Sequence, residues 1–347
     1  MAEYISFQPS DYYNTKLYTG TGSSNAVTGV GFEPAFTWIK NRDDTDYHIL
    51  TDAVRGVTKQ LFSNVNSAEA TQANNINSFD SDGFTVGTEG QVNMNTEDFV
   101  SWNWKAGTTS GIAGSPSITP TSYSFNATPG FSIIKWTGTG ANATLPHGLG
   151  VAPKMIIVKN LDGLNRSWRV YNSVLGATKY LYLAETNAEA TDSTVWNDTE
   201  PTSTLFSVGT NNETNESADN IIAYCFADVK GYSKFGSYTG NGATDGPFVY
   251  TGFRPAYLMI KSYSGTTMDW KIIDNKRSPS NVTSISLRAN GSHADTTIYN
   301  ICDFTANGFK IRSDRDEYNG SSSYKYIYMA FAEFPIVSSN DVPTIAR

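Results

Sequence analysis

The sequence predicts an all-β protein made of three tandem antiparallel β-sandwich domains of the jelly-roll or lectin-like kind. A phrase with a Gly, a Pro three residues later and a Lys six residues after the Pro occurs three times. Apolar side chains in each copy follow the period of two that β-strands impose. Aromatic residues make up 13% of the chain and charged residues only 17%, a composition typical of strands joined by polar turns.

The repeated phrase reads GFEPAFTWIKN from Gly31, GVAPKMIIVKN from Gly150 and GFRPAYLMIKS from Gly252. The copies lie roughly a hundred residues apart, which suits a small domain and is too long for one unit of a solenoid. A Pro is tolerated at the start of a strand. The residues after it are largely apolar on both faces of the strand. This pattern predicts a central strand buried on one face and packed under loops or a neighbour on the other.

Each phrase has a lysine as its next-to-last residue, at Lys40, Lys159 and Lys261. It ends the apolar run, so we expect it to place a charge at the exit of the strand. A functional role for these lysines is the less favoured alternative.

Each repeat has an aromatic-Thr-Gly turn before the phrase and an apolar strand at its end. The final strands read FVSWNW, IIAYCF and YIYMAF. Trp104, Phe226 and Phe331 occupy the same slot in these strands, so all three are predicted to be buried.

These patterns predict three domains, at residues 12–107, 123–230 and 231–335. Residues 108–122 are rich in Gly, Ser, Thr and Pro and have few apolar side chains, which indicates a linker. No comparable spacer separates the second and third repeats. We therefore expect those two to pack together and the first to stand apart.

Charge and cysteine content restrict the function. The net charge is −8 and no cluster of basic residues is longer than the Lys-Arg of NKR, so no nucleic-acid binding is expected. The two cysteines, Cys225 and Cys302, fall at non-equivalent places in the repeats and are predicted to be free, partly buried thiols. No signal peptide and no membrane insertion are predicted, because the chain has no long apolar run.

The sequence contains none of the common catalytic motifs. The sequence has no Gly-x-Ser-x-Gly elbow, His-Glu-x-x-His, phosphate-binding loop or Cys-x-x-Cys. Each repeat has one histidine, but His48, His147 and His293 lie at different distances from the repeated proline. We therefore predict that the protein is not an enzyme and needs no cofactor.

The candidate ligand-binding residues are an acidic loop and one tryptophan. Asp43, Asp44 and Asp46 cluster in NRDDTD, and Trp196 lies in the polar context STVWNDTEP, where an exposed ring could stack against a sugar. A second acidic stretch at residues 314–319 has a faint calcium-loop pattern, although its register is shifted and no Glu closes it. Both a solvated loop and a calcium loop stay open there, and no metal site is assigned.

Long stretches of the chain resemble a β-rich repeat family found in tail-fibre and other virion-associated proteins of marine and environmental bacteriophages. The resemblance rests on KWTGTGANATLPHGLGVAPKMIIVKN, on the segment from IIAYCFADVKGYSKFGSYTG to LMIKS, on WKIIDNKRSP and on YIYMAFAEFP, and covers about residues 12–335. It implies a location on the virion and contact with other virion proteins. It carries no catalytic residues.

The resemblance and the composition together predict a non-enzymatic virion protein, made in the host cytoplasm. The leading hypothesis is a tail-fibre or appendage module that contacts the host surface, with a host-surface glycan as a partner. Repetition of weak contacts would require a symmetric homo-oligomer. The alternatives are a capsid decoration or adaptor protein and, more weakly, a glycan depolymerase.

Overall fold

The described chain is almost entirely β-structure. The computed structural model describes residue 5, residues 7–265 and 267–333, and the backbone of residues 336–337 and 343–344; for residues 298 and 299 it describes the backbone alone. Strands make up 42% and helices 6%, which confirms the prediction of an all-β fold with antiparallel sheets. Among the described residues, no helix is long and apolar enough to cross a membrane.

The strands and short helices follow the three repeats. The first repeat contains a 3₁₀ turn at Pro9–Asp11, β1 Tyr13–Thr19, β2 Asn25–Thr28, β3 Phe36–Asn41, β4 Ile49–Asp52, β5 Lys59–Gln60, β6 Ala70–Thr71, β7 Ile76–Asp80, β8 Gly83–Val86, α1 Gly90–Asn93 and β9 Asp98–Trp104. The second contains β10 Ser122–Asn126, β11 Phe131–Thr137, β12 Ala143–Pro146, β13 Met155–Asn160, β14 Arg169–Asn172, β15 Lys179–Tyr182, β16 Ala190–Thr191, α2 Ser193–Trp196, β17 Leu205–Val208, α3 Asn212–Asn215 and β18 Asn220–Phe226. The third contains β19 Ser233–Thr239, β20 Phe248–Tyr250, β21 Pro255–Ser262, β22 Lys271–Asp274, β23 Thr283–Arg288, β24 Thr296–Thr305, β25 Gly308–Ile311, α4 Asp316–Asn319 and β26 Lys325–Ala332, followed by β27 Ile336–Val337 and β28 Pro343–Thr344.

The same four-stranded arrangement occurs in each repeat. Its order is β1-β9-β3-β4 in the first repeat, β11-β18-β13-β14 in the second and β19-β26-β21-β22 in the third. The strand that follows each repeated proline therefore lies centrally, beside the final strand of its repeat, as predicted. The register is also shared, because β3, β13 and β21 pair with β4, β14 and β22 at equivalent positions.

The aromatic-Thr-Gly turn packs closely against the end of a short helix, and this close approach requires its glycine. A Cβ atom on Gly20 would lie 2.0 Å from the carbonyl oxygen of Met94, and Gly138 and Gly240 face equivalent oxygens at 2.0 and 2.2 Å. No side chain fits at these distances. A buried asparagine that ends each of these helices then bonds to the turn: Asn93, Asn215 and Asn319.

One apolar core is shared by all three repeats. Its centre is formed by the three equivalent residues Trp104, Phe226 and Phe331, which are buried as predicted. Their ring centroids are 6.1 Å apart for Trp104 and Phe226, 5.6 Å for Trp104 and Phe331, and 6.2 Å for Phe226 and Phe331. The repeats thus surround a common axis, and the opposite face of each central sheet packs on an apolar cluster of its own repeat.

The contacts between repeats are cyclic, so the expectation that the first repeat stands apart is wrong. We call the contacts of repeats one and two, two and three, and three and one the first, second and third interfaces. Each contains an equivalent backbone hydrogen bond from an acidic residue to the residue just beyond a repeated-phrase strand. The bonds are Glu69 N to Leu161 O at 2.8 Å, Glu189 N to Tyr263 O at 3.0 Å and Asp295 N to Arg42 O at 2.8 Å.

Two of the interfaces contain a buried ion pair. In the first, Asp52 and Arg55 are 2.5 Å apart with fully buried side chains, and the Tyr224 hydroxyl donates to Asp52 at 2.7 Å. In the third, Asp274 and Arg277 are 2.6 Å apart and equally buried. The Trp102 Nε1 of the first repeat donates to Asp274 at 3.1 Å.

Candidate functional site

Trp196, the predicted stacking platform, lies inside the core of the second repeat. Its ring is 2% exposed and packs edge-on against Tyr171, and its Nε1 donates to the Lys179 carbonyl at 3.1 Å. The prediction of an exposed Trp196 ring is therefore wrong. The short helix α2, which Asp192 caps at its N-terminus, turns the ring inward although its sequence neighbours are polar.

The first aspartate of the acidic loop secures a turn. The carboxylate of Asp43 accepts a hydrogen bond from the backbone nitrogen of Asp98 at 2.7 Å. In the second repeat, Asp162 accepts from the backbone nitrogen of Asn220 at 2.6 Å in the same place. Because the second repeat reproduces this bond without a cluster of acids, the bond itself is a feature of the fold.

The other two acids of the loop accept hydrogen bonds from two buried residues, Lys40 and Asn41. The carbonyl of Asp44 accepts from Lys40 Nζ at 2.8 Å, and the carboxylate of Asp46 accepts from the Asn41 side chain at 2.7 Å. Among the described residues, no three His, Cys, Asp or Glu side chains are placed to hold a metal ion.

The three repeated lysines are completely buried, so the expectation of a charge at the strand exit needs correction. Lys40, Lys159 and Lys261 each donate from Nζ to the carbonyl of the next residue, at 2.5, 2.6 and 2.7 Å. Burial lowers the pKa of Lys40 and Lys159 to about 8 and that of Lys261 to about 7. Their equivalent placement identifies them as parts of the scaffold that hold the loop after the strand.

The histidines do not converge. His48 and His147 are buried, whereas His293 is exposed. Burial lowers the pKa of His48 well below its usual value and that of His147 to about 4, so both rings are neutral at pH 7. The Nδ1 of His48 accepts from Trp38 at 2.8 Å, which explains its place in the core.

The outer strands β2, β12 and β20 occupy equivalent places, but their side chains differ. Each pairs with the strand of its repeat that contains GFTV, LFSV or GFKI. The outward positions carry Ala26 and Thr28 in the first repeat. In the third repeat they carry Phe248 and Tyr250, which are 48% and 66% exposed. Among the exposed large apolar side chains of the described chain, these two alone share a strand.

Four charged side chains lie on the same sheet face as Phe248 and Tyr250. Lys310 pairs with Phe248 across the strands, and its Nζ is 2.8 Å from Asp245. Arg312 contacts Asp245 at 3.5 Å and Asp303 at 2.6 Å. We name this surface the third-repeat patch; its residues are Asp245, Phe248, Tyr250, Asp303, Lys310 and Arg312.

In the second repeat, the segment predicted as a linker covers the corresponding strand. The backbone nitrogen of Ile118 donates to the carbonyl of Thr144 at 3.1 Å, and the Ser117 hydroxyl accepts from the Thr144 nitrogen at 2.7 Å. Ile118 is itself part of the buried cluster of the repeat. Of the three equivalent strands, only β20 therefore presents exposed aromatic rings.

A shallow groove of about 340 Å³ is a second feature of the surface. It lies between the turn after β4, at Ala53 and Val54, and the start of β10. Its other lining residues, Thr109 and residues 121–124, all have a hydroxyl group. It has no charged group and no exposed aromatic pair, so it is a weaker candidate than the third-repeat patch.

These observations define the class of protein: an all-β chain of three cyclically packed repeats, with an exposed aromatic and charged patch on the third repeat. The chain belongs to the family described as "Domain of unknown function (DUF7483)", whose model matches residues 8–335. No curated protein matches the chain, and no solved structure matches it.

Proposed function

We propose that this protein is a non-enzymatic structural protein of a bacteriophage particle, in a tail fibre or similar appendage that contacts the host surface. The sequence resemblance to virion-associated proteins supports the location. The observation that carries the contact role is the third-repeat patch, where Phe248 and Tyr250 are exposed beside paired charges. Exposed aromatic rings supply rigid contact area with little loss of side-chain entropy.

The architecture suits such a role. We propose that each repeat is a β-sandwich of the jelly-roll or lectin-like kind, with the limits 12–107, 123–230 and 231–335. The shared core holds the three units in fixed relative positions, as a surface exposed to shear and proteases requires. Several copies in a symmetric homo-oligomer would present several patches at once, which raises avidity without new contacts.

Two measurements test this proposal. Immunogold labelling of intact particles should place the protein on the tail or its appendages. Saturating purified protein should reduce adsorption of the phage to host cells, because it occupies the same surface receptor. Absence of the protein from the particle would contradict the proposal as a whole.

Capsid decoration is the second candidate function. It is favoured by the first and second repeats, whose outer strands carry small side chains or are covered by residues 117 and 118. A protein that only coats a shell needs no exposed ring. Gold label confined to the capsid, together with unchanged adsorption, would favour this alternative.

A further inference from the structure

We infer that the third-repeat patch binds neutral sugar units of a polysaccharide, by stacking on Phe248 and Tyr250 and by hydrogen bonds to the neighbouring charged side chains. The inference rests on the proposed function and names the ligand class and residues of its contact site. Phe248 and Tyr250 thereby take the sugar-stacking role predicted for Trp196, whose ring is buried.

The exposure of two adjacent rings is the first argument. The core buries Trp, Tyr and Phe side chains throughout the described chain, yet Phe248 and Tyr250 remain open to solvent on either side of the buried Val249. They stand about 7 Å apart along the strand, so they form one continuous apolar surface. Sugar rings have apolar faces that pack against such aromatic surfaces.

The charge balance of the patch is the second argument. Its two cations, Lys310 and Arg312, are both paired with Asp245, and Arg312 is also paired with Asp303. The hydrogen bond from Lys310 lowers the pKa of Asp245, whose side chain is 82% exposed. A charged ligand would have to compete with these pairs, whereas hydroxyl groups can bond to the free lone pairs and N–H groups without breaking them.

The second repeat shows that pairing of a polypeptide with the edge of this strand does not need aromatic rings. There, residues 117 and 118 bond to the edge of the equivalent strand at Thr144, and no aromatic side chain is present at the outward positions. Pairing of an extended polypeptide with this edge therefore uses backbone groups and small hydroxyl side chains, and needs no aromatic ring. Phe248 and Tyr250 project from the face of the sheet, so they serve a ligand that lies over that face.

The test is affinity electrophoresis of the full chain in gels that contain a polysaccharide. Neutral probes are dextran, galactomannan and hydroxyethylcellulose, and acidic probes are alginate and polygalacturonate. We expect retardation by at least one neutral probe, unchanged between about 50 and about 500 mM NaCl because no charge is neutralised. Phe248→Ala combined with Tyr250→Ala should weaken retardation by about tenfold or more.

Matched variants separate binding from folding. Tyr47→Ala removes another exposed ring, in the first repeat, and should leave retardation unchanged. Phe248→Tyr with Tyr250→Phe keeps both rings and should retain it. Thermal unfolding of every variant should match the parent, since the substituted side chains are exposed.

Three results would overturn the inference: no retardation by any neutral probe, retardation by acidic probes alone, or equal retardation of the parent and the double alanine variant. These results leave the labelling and adsorption experiments untouched, so this site can fail while the virion proposal holds. If the patch causes retardation but the protein is absent from the particle, the sugar site is supported and the virion proposal fails.

Discussion

The first and second interfaces solve the same packing problem with different side chains. The first has Asp52, Arg55 and the Tyr224 hydroxyl in one buried cluster. The register places Asn172, Leu175 and Met329 at the equivalent positions of the second. In the second interface the amide Asn172 replaces the carboxylate of Asp52. The apolar residues Leu175 and Met329 replace its cation, Arg55, and its hydrogen-bond donor, Tyr224. Cyclic packing therefore does not need the ion pair, provided that the whole cluster is absent.

The second interface has a polar contact of another kind. Lys261 Nζ donates across it to the carbonyl of Thr186 at 3.0 Å. The equivalent Lys40 and Lys159 bond to carbonyls of their own repeats. Of the three equivalent lysines, Lys261 thus makes a hydrogen bond between repeats, at the second interface.

Arg277→Leu is expected to have the largest effect on this comparison. It leaves the carboxylate of Asp274 buried without its cation, which should lower the free energy of unfolding by about 3–5 kcal/mol. Urea unfolding measures the loss. Lys276→Leu removes an exposed cation one residue earlier and should cost less than about 1 kcal/mol. Equal losses for the two variants would show that the buried pair contributes nothing.

Phe226→Ala and Phe331→Ala probe the part of the core that all three interfaces share. Each removes a buried ring at the common axis and should cost roughly 3–5 kcal/mol, the usual penalty for a cavity left by a core aromatic. Thermal and urea unfolding measure this effect. A variant that unfolds like the parent would contradict the assigned register.

Stability should rise with pH between about 7 and about 8.5 because of the buried lysines. Above that range the buried thiols of Cys225 and Cys302, whose pKa is raised to about 12, oppose the rise, since an unfolded cysteine ionises near 8.5. The folded-state pKa of Lys261 is about 7, below that of an unfolded lysine near 10.4. Between these values the unfolded state binds more protons, so raising the pH favours the fold, by up to about 1.4 kcal/mol per pH unit for each such lysine. Urea unfolding as a function of pH should show this slope, and Lys261→Met should reduce it, leaving the contributions of Lys40 and Lys159. An unchanged slope in the variant would indicate that Lys261 keeps its charge in the fold.

The smallest effect is expected when the amide and leucine of the second interface are copied into the third. The double variant Asp274→Asn and Arg277→Leu removes both charges of the buried pair together, and the new amide oxygen can still accept a hydrogen bond from Trp102 Nε1. Its free energy of unfolding should lie within about 2 kcal/mol of the parent, above that of Arg277→Leu alone. A double variant less stable than the single one would show that the two interfaces are not interchangeable.

Much of the fold could be predicted from the sequence, because the relevant signals are local. The strands after Pro34, Pro153 and Pro255 and the final strands appear where period-two patterns place them. The burial of Trp104 and Phe226 also follows from that period. A shared core could not be inferred, because an apolar strand face does not say whether a loop or another repeat covers it.

The candidate site was less predictable for the same reason. Trp196 has polar neighbours in sequence but a buried ring, since the direction of a side chain in a short helix depends on tertiary packing. Phe248 and Tyr250 follow the alternation of a half-buried strand around Val249, so the pattern FVY was a usable signal. Lys40 can be buried because backbone carbonyls accept hydrogen bonds from its amine. No sequence pattern predicts this arrangement.

Hydrogen exchange of Phe331→Ala, followed by mass spectrometry, tests most directly whether the three repeats form one cooperative unit. The substitution lies in the third repeat, but the Phe331 ring that it removes contacts Trp104 and Phe226 at the common axis. Protection of the final strands β9, β18 and β26 should therefore fall together, by similar factors. Loss of protection confined to β26 and its own repeat, with β9 and β18 as protected as in the parent, would contradict a shared core.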